Sequence, residues 1–232
     1  MTISIDYFSD VLCIWAYSGQ VRIDELRHNL GDDIHLHYHF VPLFAAARQR
    51  IDEQWSSKGG LEAFNRNLHS IASQWNHVSL HPDVWLKNTP NSSSVAHLML
   101  KAVQILQDRD EIESRPEDDP RGETRFEKYM WRLREAFFRD CENISECSVL
   151  ERIAGELELP VAAIRKVVDN GEACAALYLD DQARQKYQVP GSPTLVLNDG
   201  RQLLYGNVGY RIIEANVREL MQNPLEGDAS WC

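Results

Sequence analysis

A chain of 232 residues with 24 basic and 35 acidic side chains carries a net charge of −11. So negative a surface repels phosphate backbones and anionic headgroups, which argues against nucleic acid and membranes as partners. An apolar content of 44% suffices for a full core, and no apolar run approaches the roughly 20 residues of a membrane-spanning helix.

Residues 2–8 alternate, with Ile3, Ile5 and Tyr7 on one face, as a short strand does. Asp10 leads into a helical pattern from about 13 to 30 (Ile14, Tyr17, Val21, Leu26, Leu30), with Gly31 as its stop. Ile34, Leu36, Tyr38 and Phe40 alternate next and give a second strand ending before Pro42. Strand, helix and strand within so short a span predict a βαβ unit with a parallel pair and a right-handed crossover.

Strand signals then disappear from about 44 to 186. Helices are predicted near 58–76, 92–107, 123–140, 146–157, 160–169 and 171–187. Asn91, Ser92 and Ser145 are expected caps, and Pro160 fits a first helical turn. The charged stretch from Asp108 to Glu123, with Pro116 and Pro120, reads as an exposed connection within the helical region. Strands return at Thr194–Leu197 and Gln202–Tyr205 around Asn198-Asp199-Gly200, a strong hairpin signal. A last helix near 210–222 carries Ile212, Ile213, Val217 and Leu220. The whole predicts an α/β fold: one sheet built from residues 1–43 and 187–232, with a helical insertion over 44–186.

Chemistry is sought first among the cysteines. Cys13, Cys141, Cys147, Cys174 and Cys232 are odd in number and scattered, and none forms a Cys-x-x-Cys pair. A disulfide framework and a thiol-built zinc site are therefore not expected, and at least one thiol should be free. The N-terminus has no basic stretch followed by an apolar run, so a cytoplasmic protein is the expectation. Cys13 stands where the first strand gives way to a helix. Unpaired amides and the helix dipole there favour the thiolate, the nucleophilic form. A free cysteine can equally be an inert space-filler. The second feature is Val189-Pro190-Gly191-Ser192-Pro193-Thr194, ahead of the hairpin. Taken alone it reads as an ordinary turn, since cis X–Pro bonds make up only about 5–6% of such bonds.

Together the two segments resemble a family. Asp10-Val11-Leu12-Cys13-Ile14-Trp15-Ala16-Tyr17 is similar to the Asp-Val-x-Cys-Pro-Trp-Cys-Tyr active site of DsbA-like proteins of the FrnE type. Gly191-Ser192-Pro193-Thr194 is similar to their Gly-Val-Pro-Thr loop, and Leu133–Phe138 with Ile144, Val149 and Leu150 more loosely resembles the later helices of their insertion. The resemblance implies a thioredoxin fold with an all-helical insertion between its βαβ and ββα halves. It also implies a cis bond before Pro193, facing Cys13.

Ala16 occupies the place of the family's resolving cysteine, and Ile14 replaces its proline. Cys13 cannot close a disulfide within its own motif, which excludes the ordinary dithiol cycle unless another cysteine reaches it. Three readings stay open. Cys13 acts as a monothiol exchanger, forming a mixed disulfide with a disulfide-containing or glutathionylated protein, or with glutathione. Alternatively the protein is a glutathione-dependent isomerase or transferase, like the 2-hydroxychromene-2-carboxylate isomerases and kappa-class glutathione transferases of this fold, and takes a small molecule as well. In the third reading the site is degenerate and the module only binds. Trp15 and the backbone of Ser192 and Pro193 are the expected substrate contacts, the latter by pairing with an extended peptide. Glutathione is then a co-substrate, with no tightly bound cofactor, and a homodimer is compatible with the sequence.

His35, His37 and His39 share one strand face. Two imidazoles at that spacing can hold a metal, but no carboxylate or cysteine pattern accompanies them, so a polar face and no metal site is expected. Cys141 and Cys147 are expected to pack in the insertion, and Cys174 in the core. A mobile Cys232 is a distant candidate for resolving Cys13. The helix start from Asn91 to His97 is placed opposite Cys13 by the family layout.

Overall fold

The computed structural model describes residues 2–113 and 122–222. Strand β1 (Ile3–Ser9), helix α1 (Ile14–Leu30) and strand β2 (Ile34–Phe40) form the first unit. Seven helices follow: α2 (Ala47–Trp55), α3 (Gly60–Ala72), α4 (Ser94–Asp108), α5 (Arg125–Phe138), α6 (Cys147–Glu156), α7 (Val161–Asp169) and α8 (Glu172–Lys186). Strands β3 (Thr194–Leu197) and β4 (Gln202–Tyr205) and helix α9 (Tyr210–Gln222) close the described chain. The chain therefore returns to the sheet it left about 150 residues earlier.

The sheet order is β2-β1-β3-β4. β1 runs parallel to β2, with Ile5 opposite Leu36, and antiparallel to β3, with Ile5 opposite Leu197. β3 and β4 pair antiparallel, with Leu195 opposite Leu204. Burial on both faces explains why β3 reads as a nearly continuous apolar run: it is buried throughout, whereas β1 alternates, with Ile3, Ile5 and Tyr7 buried on one face and Ser4 and Asp6 half-buried on the other. Positive φ at Asn198 (49°), Asp199 (57°) and Gly200 (95°) makes the β3–β4 turn, conformations that these residue types tolerate best.

Helix α1 stops where expected, with Gly31 at φ 48° as its C-cap. Helix α5 begins in a capping box: Thr124 Oγ1 accepts from the Glu127 amide (3.1 Å), and Glu127 Oε2 accepts from the Thr124 amide (2.7 Å). The same carboxylate accepts the Tyr38 hydroxyl (2.8 Å) and pairs with Arg27 (3.1 Å), tying α5 to β2 and α1.

Several expectations need correction. Helix α2 was not predicted, because Ala47 and Ile51 are its only buried residues and leave no apolar period to see. Of the expected caps, Ser92 serves α4, its Oγ accepting from the amide of Ser94, the first helical residue (3.1 Å), although the N-cap position itself is Ser93. The other two do other work: Ser145 Oγ accepts from the Asn91 amide, and the Asn91 carbonyl accepts from the Ala47 amide. Cys147 and Cys174 are exposed rather than packed, whereas Cys141 is buried. Cys232 lies outside the described residues. Among the described residues no helix is long and apolar enough to cross a membrane.

Candidate active site

Cys13 is the N-cap of α1, with extended backbone angles (φ −82°, ψ 116°). Four successive amides before and at this cap are each satisfied by a different acceptor atom, two of them on Asp10. The Asp10 amide donates to Ser192 Oγ (2.9 Å) and the Val11 amide to His97 Nε2 (3.1 Å). The Leu12 amide donates to Asp10 Oδ1 (2.8 Å), and the Cys13 amide to the Asp10 carbonyl (3.1 Å). The turn is thus held at once by the loop before β3, by α4 and by its own aspartate. Since buried backbone donors require partners, this network fixes the position of the sulfur.

The Cys13 thiol donates to the Ser192 carbonyl over 3.3 Å, and the peptide bond between Ser192 and Pro193 is cis. Thr194 Oγ1 donates back to the Gly191 carbonyl (2.8 Å) and the Gly206 amide to the Pro193 carbonyl (2.9 Å), pinning this loop to the hairpin. Gly191 lies under the Tyr205 ring, whose atoms stand 3.1 Å from where a Cβ would be. A larger residue there would crowd the Tyr205 ring, and no special φ is involved. Cys13, Ser192 and Pro193, from opposite ends of the sequence, are therefore brought together.

Trp15 is half-buried and meets Trp75 edge-on at 5.6 Å. It points toward the segment after α3, which is further tied to α1 by His77 Nε2 on the Ser18 carbonyl (2.9 Å). Tyr17 is buried between Trp131 (5.1 Å) and Phe138 (4.8 Å) and belongs to the core. Ala16, at the resolving position, is fully buried.

The electrostatics reverse one expectation. Burial pushes the Cys13 thiol above its ordinary value; the Ser192 hydroxyl and the amides of Ala16 and Trp15 pull it down without compensating, and Asp10 adds a push upward. Cys13 is only 6% exposed. The helix terminus does supply the stabilising amides that sequence reasoning foresaw, but desolvation of a charged sulfur costs more than they return. The resting species at neutral pH is the protonated thiol, and its proton is the one held by Ser192. In a titration by alkylation, the Cys13 rate should still be climbing about tenfold per pH unit at pH 8.5, where an unperturbed thiol is already half ionised. A plateau below pH 8 would show that burial does not dominate.

Asp10, fully buried, is a residue whose role sequence reasoning missed. Besides Leu12, it accepts from the Phe44 amide (2.9 Å) and the Ser93 hydroxyl (2.8 Å) through Oδ2. His97, also fully buried, stands 3.7 Å from Oδ1. The start of α4 thus does approach Cys13, from behind the turn rather than across an open cleft. Arg134, which the motif quoted only as a helix residue, is a fully buried cation. It donates to Gln20 Oε1 (2.7 Å) and Ser9 Oγ (3.1 Å).

The three strand histidines separate. His39 stacks on Phe8 (4.6 Å) and bonds to Asp6 (2.7 Å) and Asp180 (2.9 Å). His35 and His37 are exposed, 4.2 Å apart, beside a cavity of about 640 Å³ that shares no lining residue with the Cys13 site. Among the described residues, no group of three or more His, Cys, Asp or Glu is arranged to hold a metal ion.

Residues 120–217 match the model of the DSBA-like thioredoxin domain. No curated protein matches the sequence. Among solved structures, the chain is similar to a Nitrosomonas europaea protein provisionally assigned as a protein disulfide isomerase. Their TM-score is 0.73 at 13% identity, covering 96% of this chain and 99% of that one. It is also similar to the cytosolic disulfide reductase DsbM of Pseudomonas aeruginosa (TM-score 0.63, 15% identity, 95% and 98% covered). A 2-hydroxychromene-2-carboxylate isomerase matches to the same degree (0.64, 15%, 95% and 97%). At such identities these likenesses establish the fold, and the reaction has to be argued from the site.

Proposed function

We propose that this chain, whose residues 120–217 match the model of the DSBA-like thioredoxin domain, is a monothiol thiol–disulfide oxidoreductase using Cys13, with glutathione as the co-substrate. The observation that carries this reading is the 3.3 Å contact between the Cys13 sulfur and the carbonyl that precedes Pro193. A substrate strand that pairs with the Ser192 backbone replaces the thiol as partner of that carbonyl. It brings its own sulfur beside Cys13 as it does so. The thiol proton passes to solvent, and the thiolate attacks one sulfur of a mixed disulfide between glutathione and a protein. The Cys13–glutathione disulfide forms and the protein thiolate leaves. A second glutathione thiolate then attacks that disulfide, releasing oxidised glutathione and regenerating Cys13. No partner cysteine is needed, which suits Ala16 at the resolving position. A cycle fed by reduced glutathione suits a reducing compartment such as the cytoplasm; a structure of DsbM has been determined with glutathione.

One observation favours the second reading. A buried thiol that stays protonated and already donates a hydrogen bond is suited to hold a bound glutathione thiolate, as an isomerase or transferase requires.

Turnover separates the two readings. With a glutathionylated peptide and reduced glutathione, the monothiol cycle gives ping-pong kinetics, because the first product leaves before the second substrate acts. Intersecting lines in the double-reciprocal plot, or no turnover alongside measurable binding of reduced glutathione, would favour the second reading.

A further inference from the structure

We propose that His97 is a positioning residue for Cys13, holding the Asp10–Cys13 turn through the Val11 amide while neutral and releasing it when protonated on Nε2. The inference rests on Cys13 being the reacting group. Its own evidence is the geometry behind that group. His97 is fully buried on α4 and stacks on Phe40 of β2 at 4.9 Å. Its Nε2 accepts from the Val11 amide at 3.1 Å. An imidazole nitrogen that accepts carries no proton, so the neutral ring has its hydrogen on Nδ1. That nitrogen has no partner among the described residues. Filling the core does not require one ring nitrogen to cap the reactive turn, as Nε2 does here.

Protonation of Nε2 reverses the arrangement. The Val11 amide loses its acceptor, and the new N–H faces Asp10 Oδ1 3.7 Å away, an oxygen already bound to the Leu12 amide. Oδ1 can accept the new donor as well as the Leu12 amide, but the Val11 amide is left without an acceptor unless the turn moves, and Cys13 moves with it. The surrounding charges are Asp10 from the turn, Asp180 from α8, Arg134 from α5 and Lys101 one turn along α4. Burial together with Arg134 and Lys101 outweighs the two aspartates and keeps the ring neutral. The release therefore belongs to acid conditions, below the ordinary histidine value.

Two measurements on the intact protein test this. Nitrogen-15 NMR of the His97 ring at pH 7.5 should show the Nδ1–H tautomer; the Nε2–H form would overturn the proposal. The second is the rate at which 2,2′-dipyridyl disulfide, which reacts even at acid pH, modifies Cys13 between pH 4.5 and 8. It is read from the mass of the Cys13 peptide so that Cys147 and Cys174 do not contribute. His97→Gln supplies an amide oxygen for Val11 and cannot titrate. The ratio of wild-type to H97Q rates should change about three- to tenfold between pH 8 and pH 5, the worth of one buried hydrogen bond. A flat ratio would overturn the proposal. Should H97Q fail to fold, the tautomer alone decides. Incubation with oxidised glutathione at pH 7.5 keeps the two layers apart: a Cys13 adduct with a flat ratio sinks only the role of His97, whereas absence of the adduct sinks the exchange chemistry itself.

Discussion

Replacing Cys13 by serine is expected to reduce turnover of a glutathionylated peptide by a factor on the order of 10³ or more. The sulfur is both the attacking atom and the carrier of the transferred glutathione, so no neighbouring group can stand in for it. Ala16 offers no second thiol, and the exposed Cys147 and Cys174 lie on α6 and α8, outside the network around the cis bond. The fold should survive. A serine hydroxyl can donate to the Ser192 carbonyl as the thiol does, and its volume is slightly smaller. Circular dichroism and the urea midpoint should match the wild type, which assigns the loss to chemistry. Retention of activity in Cys13→Ser would instead place the protein with the glutathione-linked isomerases and transferases, where a hydroxyl is sufficient.

The second large effect concerns stability. Asp10→Ala should cost roughly 3–9 kcal/mol, because three donors lose their acceptor in a fully buried site and each such loss costs about 1–3 kcal/mol. Those donors are the Leu12 amide, the Phe44 amide and the Ser93 hydroxyl. They come from the turn, from the segment after β2 and from the start of α4. One carboxylate therefore joins the sheet to the helices that follow it. Against a typical folding stability of 5–15 kcal/mol, the variant should be marginal. Asp10→Asn keeps the shape and one carbonyl oxygen, so its cost should be smaller; Ser93→Ala removes a single donor and should be milder still. Urea denaturation orders the three. Equal midpoints for all of them would mean that Asp10 does not organise the turn.

Much of the architecture was legible because its signals are local. The alternation of Ile3, Ile5 and Tyr7, the stop at Gly31 and the Asn198–Gly200 turn each follow from neighbours in the chain. The meeting of Cys13 with Ser192 and Pro193 was reached through resemblance of two short motifs, since no periodicity links residues so far apart. Where local signals were weak the reading failed. Helix α2 is polar nearly all round, and the Thr124–Glu127 capping box, present as T-x-x-E, went unread. Cys174 sits in a helix whose pattern suggests core, yet it is exposed. The error over the Cys13 thiol has a different origin. A helix N-terminus is visible in sequence, but the depth at which it is buried is not, and depth decides the sign. The role of Asp10 was hidden for the same reason, since an aspartate before a helix reads as an ordinary solvated residue. The helix start at His97 was placed near Cys13 by the resemblance alone, without its bond to the turn. Their roles exist only once residues 86 positions apart, Val11 and His97, are in contact.

Brief exposure to oxidised glutathione, followed by acid quenching and mapping of the tryptic peptides, is the most direct test of the account. One glutathione should be found on the Cys13 peptide, removable by reduced glutathione and missing in Cys13→Ser. A protein that takes up the label on Cys147 or Cys174 while Cys13 stays unmodified would contradict it.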